Sequence, residues 1–136
     1  MSQAAITLEE AEALVEREWS RWLPLDKANI NALPALPGVY EVRLKDYSFP
    51  RLRGQTSTIY IGCTEDRELA KRLKALINGR HQASPRIERV KKELKKELEF
   101  RYRLAFNGTH AKELETKALD AYNDQHLERP PCNHKL

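Results

Sequence analysis

Tyr40, Tyr60, Arg72 and Glu115 are the residues of this chain whose types and positions could carry chemistry. Tyr40 and Tyr60 lie in the runs "GVYEVRLK" and "TIYIG", which alternate as strands, so antiparallel pairing could turn both to a common face. A phenol with an ordinary pKa near 10 acts as a base only where cations stabilise its phenolate. Arg72 and Lys71 are the candidates for that cation. A guanidinium grips phosphate oxygens in a fixed fork and stays charged at any working pH. Taken singly, each residue has a plainer reading, as two core tyrosines and a solvated surface arginine.

Glu115 is the next candidate. In "THAKELETKALDAYNDQHLE" the residues Ala111, Leu114, Ala118 and Tyr122 recur at helical spacing, and Glu115 borders that stripe. A carboxylate beside an apolar face needs a cation or a donor. It takes either a salt bridge to an arginine of the sheet or a divalent metal. The cysteines and histidines offer a competing zinc set, but only the "CNH" of Cys132 to His134 is close-set. Tetrahedral zinc motifs use tighter ligand pairs.

Taken together, "PGVYEV" at 37–42 and "IYIGCTED" at 59–66 resemble the paired signature of the GIY-YIG nuclease family. Gly38-Val39-Tyr40 is a conservative variant of the first triplet, and Tyr60-Ile61-Gly62 is the second. Arg72 in "LAKRL", Glu115 in "ELETKAL" and Asn133 in "RPPCN" follow in the family's order, over about residues 33–135. The resemblance implies a small stand-alone GIY-YIG domain that hydrolyses DNA phosphodiester bonds with a divalent metal, Mg2+ or Mn2+. Glu115 would then hold the metal, and Arg72 would neutralise charge on the transferring phosphorus centre. Tyr40 would serve as general base or orient the water, and Tyr60 would position water or phosphate. Asn133 would hydrogen-bond near the site and fix the tail against the sheet. The alternative is a catalytically inactive nucleic-acid-binding module of the same fold, and a third reading is an interaction protein using the tryptophan-bearing helix.

The elements that must position these residues follow from periodicity. Thr7 is expected to cap a helix of about sixteen residues, with Leu8, Ala11, Val15, Trp19 and Trp22 on one stripe. Residues 1–32 form this helix and its connector, and 33–136 form the nuclease-like domain. Strands are expected at 38–45, 58–62 and 98–106, and a loop of about a dozen residues joins the first two. Helices are expected at 66–78, closed by Gly79, at 84–97, capped by Ser84, and at 109–128, capped by Thr109. "RPPCNHKL" reads as an irregular tail. The fold class is therefore α+β, a three-stranded, mostly antiparallel sheet flanked by helices with an extra N-terminal helix.

Charge distribution suits a polyanionic partner. Residues 1–32 carry three basic and six acidic side chains, residues 33–106 seventeen and nine, and residues 107–136 four and five. Arg51 and Arg53 in the long loop, Lys71, Arg80 and the "RIERVKKELKK" helix could line a groove for DNA through phosphate contacts. His81 is a helix-end cap or a phosphate contact. The N-terminal helix leaves a homodimer or a protein partner open. No run reaches the roughly 18 apolar residues of a membrane span, and the acidic N-terminus lacks a signal peptide's basic and apolar regions. Two distant cysteines fit a reduced, cytoplasmic compartment.

Overall fold

Period-two alternation builds the three long strands, and a short fourth strand completes their sheet. The computed structural model describes residues 7–65 and 67–133. In chain order its elements are α1 (Leu8–Glu16), β1 (Leu23–Pro24), α2 (Lys27–Asn31), β2 (Gly38–Leu44), β3 (Phe49–Pro50) and β4 (Gln55–Thr56). There follow β5 (Thr58–Cys63), α3 (Leu69–Ile77), α4 (Ser84–Leu94), β6 (Leu98–Leu104) and α5 (Gly108–His126), then a 3-10 turn at Pro131–Asn133. The main sheet runs β1–β6–β2–β5 with every neighbour antiparallel. The expected three strands thus become four. Leu23 and Pro24 lie in a proline-bounded connector too short to alternate, yet they pair with Phe100 and Glu99 at the sheet edge. An edge is where proline, lacking an N–H, is tolerated.

The two faces of the sheet carry different partners. Tyr40, Phe100 and Leu104 pack with Leu69, Leu73 and Leu76 of α3, Ile87 of α4 and Ile30 of α2. Val39 and Ile61 point the other way, onto Ala111, Leu114 and Tyr122 of α5. Each fully buried large apolar side chain contributes roughly 1.5–3 kcal/mol. The sheet is accordingly a middle layer, with α3 and α4 on one side and α5 on the other. Among the described residues no helix is long and apolar enough to cross a membrane.

The N-terminal helix is shorter than expected. The Thr7 hydroxyl caps it by accepting from the Glu10 amide, but it stops at Glu16, and Arg17 is already extended. Trp19 and Trp22 therefore leave the helix and run beside β6, where they find cations. Arg101 lies 4.6 Å from the Trp19 ring and 5.0 Å from that of Trp22, and Arg43 lies 4.2 Å from Trp22. Arg101 also pairs with Glu41 at 3.0 Å and Arg43 with Glu99 at 2.9 Å. A spacing of three fits a helix stripe, but here it serves a cation–aromatic rack on an extended segment.

Other boundaries shift by local hydrogen bonding. α5 is capped by Asn107, whose side chain accepts from the His110 amide at 2.9 Å, and not by Thr109. Ser84 does not cap α4; its hydroxyl donates to the Leu76 carbonyl at 2.8 Å and so ties the end of α3 to the start of α4. Gly79 closes α3 at a φ of +77°, as expected of a left-handed C-terminal residue. The long loop folds back as the β3–β4 ribbon, paired at Phe49–Thr56 and Pro50–Gln55. The tail, read as irregular, forms the turn that carries Asn133.

α5 begins in close backbone contact with the turn after β5. A Cβ at Gly108 would lie 1.7 Å from the Glu65 carbonyl oxygen, and backbone cannot swing aside as a flexible side chain can. We expect Gly108→Ala to destabilise the fold by about 1–3 kcal/mol. Urea unfolding would show a lower midpoint with an unchanged slope. A midpoint equal to that of the parent would mean that α5 can lift from this turn freely.

Candidate active site

β5 is an outer strand of the sheet, and the candidate site wraps its free edge. A cleft of about 650 Å3 opens there, with Tyr60 and Cys63 from β5, Arg72 from α3 and Glu115 from α5 in its wall. Asn133 lies in the same wall. Its side chain donates to the Ile61 carbonyl at 2.7 Å and accepts from the Ile61 amide at 2.9 Å. The amide thus supplies one rung of the strand pairing that β5 lacks on this side. Helices from both faces converge at this edge, which is why α3 and α5 can contribute to one cleft.

Tyr40 and Tyr60 share a face through the register of β2 and β5. Tyr40 stands opposite Gly62, and Tyr60 opposite Val42. A Cβ at Gly62 would lie 2.7 Å from the Tyr40 hydroxyl oxygen and 2.8 Å from the Tyr60 ring. Both rings lean over the bare backbone of Gly62, with centroids 6.0 Å apart. The strand order then separates their roles. Tyr40, on an inner strand, is fully buried and lies behind Tyr60, outside the cleft lining. Tyr60 is the phenol that meets the cleft.

His81 stands behind the pair. The Ala83 amide donates to its Nδ1 at 2.9 Å, so a neutral ring carries its proton on Nε2. That nitrogen lies 2.9 Å from the Tyr40 oxygen and donates to it. Its ring also meets Tyr60 edge-on, with centroids 5.5 Å apart. Burial, then the charges of Arg72 and Arg86, lower its pKa from an ordinary 6.5 to about 4. His81 is therefore neutral at pH 7 and cannot act as a phosphate-binding cation there. Burial likewise pushes Tyr40 well above the usual tyrosine range, against the pull of Arg72. Tyr60 is raised by burial too, with the Arg72 charge and donors on Tyr40 and Gln82 opposing. Both phenols are thus protonated in the free protein.

Arg72 flanks the buried stripe of Leu69, Leu73 and Leu76 and is half-buried at the cleft. Glu115 borders Ala111, Leu114 and Tyr122, and its side chain keeps only 14% exposure. Its carboxylate meets the Lys112 ammonium at 2.8 Å. Beside it, the Cys63 thiol is pushed up to about 12 by burial and by Glu115, so it is no thiolate nucleophile at neutral pH.

Tyr60, Arg72, Glu115 and Asn133 come together, and Tyr40 and His81 back them. The other candidates lie elsewhere. Arg51 pairs with Glu128 at 3.3 Å and bonds the Arg129 carbonyl, while Arg53 donates to the Asp124 carbonyl at 3.0 Å. These two bolt the β3–β4 ribbon to the end of α5. Lys71 and Arg80 are exposed, outside the cleft lining. Lys112, Gln82 and Arg129 line the cleft and were missed. Only Lys112 had a legible signal, its place one turn before Glu115. Arg86, from the charge run of α4, lines the cleft as well and donates to the Cys132 carbonyl at 2.9 Å.

Among the described residues no group of three or more histidine, cysteine, aspartate or glutamate side chains could hold a metal. Zinc would require such a set, and His134 of the close-set CNH lies outside the described residues. Mg2+ does not, because it keeps several waters and binds through one or two carboxylates plus substrate phosphates. Glu115, facing an arginine-lined cleft, suits that mode. No protein-family model, curated protein or solved structure matches this chain.

The neutral His81 gives the fold a pH dependence of known sign. A histidine held below its ordinary pKa contributes stability above that value, and the contribution is lost as the pH falls from 6.5 toward 4. Tm followed across that range should fall less in His81→Gln than in the parent. Parallel curves for the two proteins would show that His81 is not the group responsible.

Proposed function

We propose that the chain is a divalent-metal-dependent DNA endonuclease of the GIY-YIG type, hydrolysing phosphodiester bonds. The observation that carries this reading is the convergence of Tyr60, Arg72, Glu115 and Asn133 on one cleft from separate elements. Their order along the chain is the order of the nuclease pattern. The wall carries Arg67, Arg72, Arg86, Lys112 and Arg129 against Glu65 and Glu115, a cationic surface for a phosphate.

In this reading the forks of Arg72 and Arg86 grip the scissile phosphate and oppose the charge that grows on its equatorial oxygens. Glu115 would hold a divalent cation, which when bound would supply Lewis-acid polarisation of the phosphate and of the leaving oxygen. Tyr60, at the cleft, takes the proton of the attacking water when it is in its phenolate form. Tyr40 stands behind it, its oxygen held by the His81 Nε2 proton. The bases therefore rank differently from the order the motif suggests, because the inner strand withdraws Tyr40 from solvent. Asn133 keeps the tail on the β5 edge and so sets the depth of the cleft.

One observation favours the second reading, a nucleic-acid-binding module without turnover. Glu115 is already paired with Lys112, at 2.8 Å. Cleavage of supercoiled plasmid with Mg2+ or Mn2+ separates the two. Glu115→Ala and Arg72→Ala should each lower the nicking rate by roughly a hundredfold or more while the fold is kept. DNA binding without cutting, on plasmid, branched and single-stranded substrates alike, would leave the binding module standing instead.

The base assignment has its own signature. A tyrosine with a raised pKa is deprotonated in only a small fraction at neutral pH. The nicking rate should therefore climb roughly tenfold per pH unit from about pH 7 to about pH 9. Tyr60→Phe should abolish the climb, whereas Tyr40→Phe should retain it at a lower rate. The opposite pattern would return the base role to Tyr40.

A further inference from the structure

We propose that Lys112 is a displaceable occupant of the cation position at Glu115: its ammonium holds the carboxylate until a divalent cation takes its place. This rests on the nuclease reading of the same site. The Lys112 ammonium lies 2.8 Å from a Glu115 oxygen and 3.8 Å from an oxygen of Glu65. It therefore bridges two carboxylates from different elements, α5 and the turn after β5. Those two are the carboxylates of the cleft wall among the described residues. An ordinary surface pair one turn apart on a helix joins two solvated side chains. Here the acid is largely buried at 14% exposure, and the lysine is the more exposed partner at 56%.

The asymmetry makes the lysine the mobile member. Glu115 is positioned by the buried stripe of α5, whereas Lys112 reaches inward on a flexible stem from an exposed position. Without it, the cleft would carry a largely buried carboxylate that has lost its ion-pair partner, at a cost in stability. With it, that cost is relieved, and a divalent cation must first displace the ammonium. The released ammonium stays tethered to α5 at the rim of the cleft, where it joins the arginines that face the DNA phosphate. Metal entry and a gain of cationic surface are thus one event.

The test is Mn2+ affinity of the full chain without DNA, followed by calorimetry or by the spin signal of free Mn2+. Lys112→Met keeps the length of the side chain and removes its charge. Its affinity for Mn2+ should rise roughly three- to tenfold over the parent, while Lys112→Arg stays near the parent value. Adding Glu115→Gln to Lys112→Met should erase the gain, which places it at this carboxylate. Equal or weaker binding by Lys112→Met overturns the proposal, as does a gain that survives Glu115→Gln. Absence of Mn2+ binding in both the parent and Lys112→Met overturns it too. Mg2+-dependent plasmid nicking is scored separately. Nicking that persists while the affinities stay equal removes the role of Lys112 and leaves the nuclease reading intact.

Discussion

An unpaired strand edge is the constraint on which the site depends. β5 ends the sheet, so its backbone donors and acceptors on the outer side need partners or water. Another strand there would satisfy them and bury the edge. Asn133 instead closes a single rung at Ile61 with both ends of its amide, across 72 residues of sequence. The cleft opens beside that rung, at Cys63. Because the edge belongs to neither face, side chains from the α3 side and the α5 side can meet around it. No cleft inside the sheet could be lined by an arginine from one layer and a glutamate from the other.

The same geometry explains why one tyrosine lines the cleft and the other does not. β2 lies inside the sheet, between β6 and β5, so Tyr40 has strands on both sides and helices above it. Its hydroxyl can be satisfied only from within, and His81 does so. The ring nitrogen is held in the donating form by a backbone amide of its own turn. Gly62 is the enabling residue, since a methyl group at that position would occupy the space between the two rings. Burial raises the pKa of both phenols, and Arg72 opposes it in each case.

Much of this was legible in the sequence, for stated physical reasons. The three long strands and the helices α3, α4 and α5 follow from apolar spacing, and Gly79 marks a helix end by its backbone freedom. Strand β1 and the β3–β4 ribbon were hidden because two-residue pairings have no period to read. Trp19 and Trp22 misled, since a spacing of three satisfies a helix while their actual partners, Arg101 and Arg43, are remote in sequence. Thr109 looked like a cap, but Asn107 enters two residues earlier with a side chain of the right reach. The burial of Tyr40 behind Tyr60 could not be read from either motif. It depends on strand order, which no local pattern encodes. Charge alone points to Arg51 and Arg53 as DNA contacts, whereas their positions are set by carbonyls and a carboxylate at the end of α5.

α5 behaves as a beam resting on two supports. Its 19 residues span roughly 28 Å at 1.5 Å per residue. One support is the backbone contact of Gly108 with Glu65, and the other is the ribbon, bolted through Arg51, Arg53 and the His126 ring. Glu115 is carried between them, nearer the first. The location of the carboxylate is thus a property of both bearings as well as of the residues around it. A substitution at the ribbon, outside the lining of the cleft, would tilt the beam and be felt at its loaded point.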